Sequence, residues 1–424
     1  MALHSDYKAL VYVYLNGGLS TWQTLIPITD YTLYASRRAG TALPVEDALP
    51  INGTADGKAF GFHPNLPKLR TRFNAASPVI KSAIFHNIGN LVTPTTKAEA
   101  LAGTDLPYQL FSHSDQTSQV QTAIPYQFVY GWGGRLSDYL DAQGFTQALP
   151  PNITVAGVQD FSRGADTNPY SVTTGGAVAP NTLGGAFGGA FQTAANALVQ
   201  NAASSSNMNP ISRFIGRVIV SSLNLEAVYN GAVAPANPAD EVTTVFPDTS
   251  LGAQLRQVAR QIAARSALNP PNGYGRDIFF VQLGGFDTHG SENGVLPPLL
   301  TIVDDAIDAF LEEVELLGVG NEVLTVEQSD FGRTLTSNGD GTDHAWGTFC
   351  LAWGGAVTAG HYGTPPDLTE DSDDDIGQGR FIPTMATSQF AASIAEWMGV
   401  PTVNLTTLFP TLANFGSPTI PFLP

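Results

Sequence analysis

Asp277-Ile-Phe-Phe-Val-Gln-Leu283, closed by Gly284-Gly285, is the stretch on which the fold turns. It has the length and the apolar, aromatic make-up of a strand buried on both faces. Val323 to Val326 begins a second such strand, running towards Glu327-Gln328-Ser329-Asp330. Between the two, Leu299, Val303, Ala306, Phe310, Val314 and Leu317 recur at spacings of three and four, with acidic side chains on the other faces. That spacing predicts a long amphipathic helix. Pro297 and Pro298 suit its first turn and Gly318 its C-terminal cap. A strand, a helix and a second strand in this order form the βαβ unit of a parallel sheet covered on both sides.

Working outward, Ala9 to Leu15 is a buried strand ending in Asn16-Gly17-Gly18, Val79 to Phe85 a second ending at His86-Asn87, and Ile153 to Val155 a short third. In parallel sheets ligands collect at the carboxyl ends of the strands. The loops after Leu15, Phe85, Leu283 and Gln328 are therefore where chemistry is expected. Residues 160–248 differ from the rest, being rich in Gly, Ala, Asn and Ser. They are expected to form an insertion or cap with a helix near Ile211 to Tyr229.

The chain has 424 residues and a formal charge of −18, enough length for a large core and too acidic for a phosphate-backbone binder. No nucleic-acid partner is expected, and anionic membrane surfaces are disfavoured. Cys350 is the only cysteine, which excludes intramolecular disulfides and cysteine-based zinc clusters. There is no apolar run of the roughly 20 residues that span a bilayer. No signal peptide is visible before the first strand, as in a cytosolic protein or a mature chain from which an export segment was cut.

Three clusters carry candidate chemistry. Gly284-Gly285-Phe286-Asp287-Thr288-His289-Gly290 follows the strong strand, and Asp287 and His289, two apart, suit one divalent cation. A capping aspartate and a surface histidine are the plain alternative. Ser329-Asp330-Phe331-Gly332-Arg333-Thr334, with Gly341-Thr342-Asp343-His344-Ala345-Trp346-Gly347, adds two carboxylates, an imidazole and a guanidinium. There the alternative is a polar loop in which Asp343 caps a turn and His344 packs on Trp346. Leu110-Phe111-Ser112-His113-Ser114-Asp115-Gln116 sets hydroxyls beside an imidazole, either a nucleophile at a helix start or a simple helix cap. A fourth stretch, Glu370 to Gly377, has the acidity of a calcium loop but not its spacing, and reads as a solvated acidic loop.

At these blocks, and at Leu15 to Gly18, Thr24 to Pro27, Gly131 to Arg135, Gly377 to Pro383 and Trp397 to Val400, the chain resembles a bacterial family, the domain of unknown function 1501. That family is usually exported and is distantly related to alkaline phosphatases and sulfatases. The resemblance implies one α/β domain over residues 1–424, a three-layer α/β/α sandwich with a mostly parallel central sheet, alkaline-phosphatase-like, interrupted by the Gly/Ala/Asn-rich insertion. It also implies a periplasmic or extracellular location. By position it makes Asp287, His289, Asp330, Asp343 and His344 metal ligands, with zinc, manganese or calcium as the cation. Ser112 becomes the nucleophile, with His113 and Arg333 as further catalytic residues. Two departures stand out: Ser20 and Ser388 occupy positions where the family often has Asp.

Two functions follow from the resemblance. One is a metal-dependent hydrolase of small anionic esters of phosphate or sulfate; the other is a non-catalytic scaffold that binds a protein or glycan partner. The charge bears on the choice, because residues 301–380 hold 17 acidic side chains against Arg333 and Arg380. Such a field repels an anionic substrate unless cations or Arg333 reverse it locally.

Overall fold

The computed structural model describes residues 6–144, 149–177, 189–204, 209–233, 241–269 and 275–424. Its strands are β1 (Tyr7–Asn16), β2 (Leu25–Pro27), β3 (Leu49–Pro50), β4 (Phe60–Phe62), β5 (Lys81–Gly89), β6 (Asn152–Thr154), β7 (Tyr170–Ser171), β8 (Gly275–Gly284), β9 (Val323–Ser329), β10 (Thr348–Gly354), β11 (Gly360–Tyr362) and β12 (Met385–Ala386). The main helices are α1 (Pro67–Phe73), α2 (His113–Thr122), α3 (Trp132–Ala142), α4 (Gly189–Ala203), α5 (Pro210–Val233), α6 (Ser250–Ala263), α7 (Glu292–Leu316) and α8 (Thr387–Met398).

Nine strands form one sheet in the order β11-β5-β10-β9-β1-β8-β6-β7, with β12 also on β5; β2, β4 and β3 form a small second sheet. Every pair in the large sheet is parallel except those of β10, which runs against both β9 and β5. β1 lies at the centre, and its side chains alternate between two cores. Ala9, Val11 and Val13 face Leu69 of α1, Leu255 and Val258 of α6 and Val303 and Phe310 of α7. Leu10, Tyr12 and Tyr14 face Val120 of α2, Trp132 and Leu136 of α3 and Phe390 and Ile394 of α8. The chain is therefore a three-layer α/β/α sandwich with a mostly parallel sheet, as expected. The continuous apolar runs of its strands follow from burial on both faces.

Two expectations need correction. The long helix starts at Glu292, so Pro297 and Pro298 lie inside it and not in its first turn. Partners elsewhere in the chain hold the extra turn: Glu292 is fully buried in an ion pair with Arg38 at 2.6 Å, and its amide donates to Asp340 O at 2.9 Å. The acidic loop is not simply solvated either. Asp375 is buried, pairs with Arg37 at 2.8 Å and accepts from the amides of Gly377 and Gly379.

Within the Gly/Ala/Asn-rich segment, β7 extends the sheet edge, and α5, which covers the helix expected near Ile211 to Tyr229, packs alongside α4. Tyr229 roots α5 in the body, its hydroxyl accepting from Gln257 Nε2 at 2.7 Å. The Gly184 to Gly188 part of this segment lies outside the described residues.

Candidate functional site

The carboxyl ends of β1, β8 and β9 bring three loops together, and the antiparallel β10 adds a fourth. Because β10 runs backwards, the segment that precedes it, Gly341 to Gly347, arrives at the same edge as the segments that follow the others. After β1 the chain turns through Gly17 and Gly18 at φ +124° and +71°. A Cβ on Gly17 would stand 2.6 Å from the Asp287 amide nitrogen, so only glycine admits this approach. The freed amides of Gly17 and Gly18 donate to Asp330 Oδ1 at 3.2 and 2.6 Å. That fixes the buried Asp330 carboxylate with its other oxygen, Oδ2, 2.5 Å from His113 Nδ1.

Three imidazoles share this construction. His113 opens α2, His289 follows β8 and His344 precedes β10. Each Nδ1 faces an acceptor: Asp330 for His113, the Phe111 carbonyl at 2.7 Å for His344, and Asp343 Oδ1 at 3.3 Å for His289. An acceptor at Nδ1 holds the proton there and leaves the Nε2 lone pair free, the tautomer a metal takes. All three Nε2 atoms then converge on Asp287 Oδ1, at 3.2 Å for His113, 3.1 Å for His289 and 3.4 Å for His344.

The donor set fits a divalent cation. Ligand atoms of His113, Asp287 and His344 lie within 4.8 Å of one another, and His289 Nε2 lies 2.8 Å from His344 Nε2. A tetrahedral ion with bonds of about 2.0–2.1 Å needs donors about 3.3–3.4 Å apart; the three separations on Asp287 are close to this, and the 2.8 Å between His289 and His344 has to open by about half an ångström to match it. Among the described residues the buried His113 Nε2 has no aligned hydrogen-bond partner although Asp287 Oδ1 is 3.2 Å away. A lone pair facing a carboxylate requires a proton or a metal ion between them. Burial lowers the His113 pKa, but hydrogen bonding and charge from Asp330 and then Asp287 outweigh it, so the net shift is upward. Burial alone would raise the Asp287 carboxyl; Arg333 and His113 overcome this and hold it down at about 2. His344 shifts downward through burial, which its bond to Phe111 only partly offsets.

The expected residues thus take distinct places. Asp287, His289 and His344 gather as one donor group, and His113, expected beside Ser112 as a catalytic residue, joins them. Asp330 and Asp343 lie behind His113 and His289. Arg333 is fully buried and directs its donors to Asp287 Oδ1 at 2.9 Å, Gly17 O at 3.1 Å and Thr342 O at 2.6 Å, tying three loops together. Ser112 precedes His113, and its Oγ donates to Asp115 Oδ2 at 2.6 Å. Ser20 and Ser388 are buried, and neither hydroxyl has a partner among the described residues.

Two contributors are not visible in the sequence. The Phe111 carbonyl reaches His344 because Phe111 adopts φ +75°, a conformation costly for a non-glycine residue. Arg380, half-buried, donates to the His344 carbonyl at 3.0 Å and lies over the Phe111 ring at 5.5 Å, which brings a cation to the rim.

Fold and site together define a three-layer α/β/α protein with a histidine–carboxylate cluster at the carboxyl edge of its sheet. Residues 225–402 match the family described as "Protein of unknown function (DUF1501)", which bears out the resemblance; the match includes Asp287, His289, Asp330, Arg333, Asp343 and His344 but not Ser112 or His113. No curated protein matches in sequence. Among solved structures, the chain is similar to the C-terminal periplasmic domain of EcEptC from Escherichia coli, with 9% identity and a TM-score of 0.39 over 98% of this chain and 89% of that one. It is also similar to the lipoteichoic acid synthase LtaP from Listeria monocytogenes, with 10% identity and a TM-score of 0.34 over 94% and 73%. A third, Ps i-CgsB, has 10% identity and a TM-score of 0.41 over 98% and 78%. No described helix is long and apolar enough to cross a membrane.

Proposed function

We propose that this chain is a metal-dependent hydrolase of phosphate or sulfate esters, exported as its family resemblance implies. Its divalent cation, zinc by the chemistry of the donors, would be held by His113, His289, His344 and Asp287. The observation that carries the reading is the convergence of three Nε2 atoms on Asp287 Oδ1, with each Nδ1 facing an acceptor.

When bound, the cation would polarise an ester oxygen and offset the charge that builds on it. The chain's own groups do the rest. Ser112 Oγ is the nucleophile of this reading: it passes its proton to Asp115 Oδ2, 2.6 Å away, as it bonds to phosphorus or sulfur. The ester's bond to the alcohol oxygen breaks, the alcohol leaves with that proton, and water then cleaves the Ser112 ester and restores the hydroxyl. Arg333 positions Asp287, while Arg380 at the rim offers an anionic ester a favourable approach through an acidic surround. Ser20 and Ser388, where the family often has carboxylates, favour one metal over two.

The test is metal analysis of the purified protein after zinc loading, with p-nitrophenyl phosphate and p-nitrophenyl sulfate as probes. One zinc per chain, lost in His344→Ala, and turnover abolished in Ser112→Ala are the expected results. Retention of no divalent ion, or turnover indifferent to Ser112→Ala, would overturn the reading.

A further inference from the structure

Along α2 lies a groove of about 470 Å³ that shares only Asp115 with the chemistry proposed above. This is within the size range of small-molecule sites. It is lined by Tyr108, Tyr126 and Phe128, each more than a third exposed, and by Ser114 and Asp115, the residues that follow His113 in the chain. Exposed aromatic rings gathered in a concave surface mark a contact site more often than chance exposure does.

The groove is built in advance of any ligand. The Tyr108 amide donates to Pro125 O at 3.0 Å, tying one wall to the other. Beneath the second wall, Arg135 lies 5.2 Å from the centre of the Phe128 ring and donates to the carbonyls of Tyr130 and Thr122. Gln119, 2% exposed, lines the floor. Its Nε2 donates to the Tyr108 carbonyl at 2.5 Å, which fixes the orientation of the amide, and its buried Oε1 has no partner among the described residues. A buried acceptor without a donor is costly and calls for one from outside the chain.

We propose that this groove binds a neutral sugar unit. The ligand must supply a hydroxyl donor for Gln119 Oε1 and an apolar C–H face for the tyrosine and phenylalanine rings; a pyranose supplies both, and its other hydroxyls can add to the Ser112 and Ser114 donors on Asp115. Among the described residues the only charged side chain in the lining is Asp115, and none of them pairs with a phosphate or sulfate. A quaternary ammonium would suit the rings and the carboxylate but brings no donor for Gln119. As the sugar portion of the ester, this ligand rests on the hydrolase reading; the binding itself does not.

Saturation-transfer NMR and calorimetry on the full chain test the proposal, with maltohexaose, cellohexaose, mannohexaose and galactohexaose as probes and tetramethylammonium as the cationic comparison. At least one hexaose is expected to bind with a Kd of about a millimolar or tighter, and Tyr126→Ala/Phe128→Ala to weaken it about tenfold with zinc content unchanged. No hexaose binding by about 10 mM, binding indifferent to the double substitution, or tetramethylammonium binding in place of sugar would overturn it. Sugar binding that persists in His113→Ala, together with failure of the zinc and turnover tests, would defeat the hydrolase reading alone. Zinc and turnover without sugar binding would defeat the groove alone.

Discussion

Asp330 illustrates how much a single carboxylate decides. Two glycine amides fix one of its oxygens, so the other can only face His113 Nδ1. Asp330→Asn keeps the shape and an acceptor for the glycines but sets an NH2 group against His113, forcing the proton onto Nε2. Loss of such a partner typically lowers metal affinity by about 10–100-fold. Zinc titration of the variant, with an unchanged circular dichroism spectrum as the fold control, is expected to show a fall of that size; unaltered affinity would mean that Asp330 does not orient the ring. The residue types at this edge were legible from the sequence, because Asp and His clustered in glycine-flanked loops. Their division into inner donors and outer partners was not, since that depends on which carboxylate oxygen the Gly17 and Gly18 amides occupy.

At the scale of elements, β9 carries an expense inside the sheet. Its Glu327 is buried, accepts from Trp353 Nε1 at 2.6 Å, and is pushed up by burial from 4.5 to about 7. Between these values the folded chain keeps a proton that the unfolded chain releases. The contribution of this group is therefore full below about pH 4.5 and is lost as pH rises through 7. Glu327→Gln retains an acceptor for Trp353 and cannot ionise. Measured by denaturant unfolding, it is expected to gain on the wild type from pH 5 to 8, by on the order of 3 kcal/mol at the upper end. A gap that does not change with pH would refute the assignment.

Strands were the most legible elements, as the runs from Ala9 and Asp277 show, because burial on both faces writes an unbroken apolar run into the sequence. The start of α7 was not legible. Its first turn depends on Arg38 and Asp340, both remote in the chain, while the paired prolines signal a start about five residues later.

For the whole molecule, the charge of −18 and the balance of −15 over residues 301–380 set the field around the site. A divalent cation there would relieve carboxylate repulsion and join the start of α2 and the loop after β8 to the segment before β10. Binding to the folded chain alone should stabilise it by about 2.7 kcal/mol at a free zinc concentration one hundred times Kd. A thermal midpoint that rises by a few degrees with zinc, returns with EDTA and is insensitive to zinc in His113→Ala is the expected outcome. The same rise in His113→Ala would place the ion elsewhere.

The sequence by itself determined the layering of this protein and the edge at which its chemistry gathers, because buried strands and amphipathic helices are local patterns that repeat along the chain. Only the tertiary structure decided that His113, some 170 residues before Asp287, belongs with His289 and His344. It alone reversed β10 to deliver His344, and bent Phe111 to offer its carbonyl. Those outcomes depend on strand order, strand direction and backbone twist, which arise when distant segments pack together and leave no mark in the residues nearby.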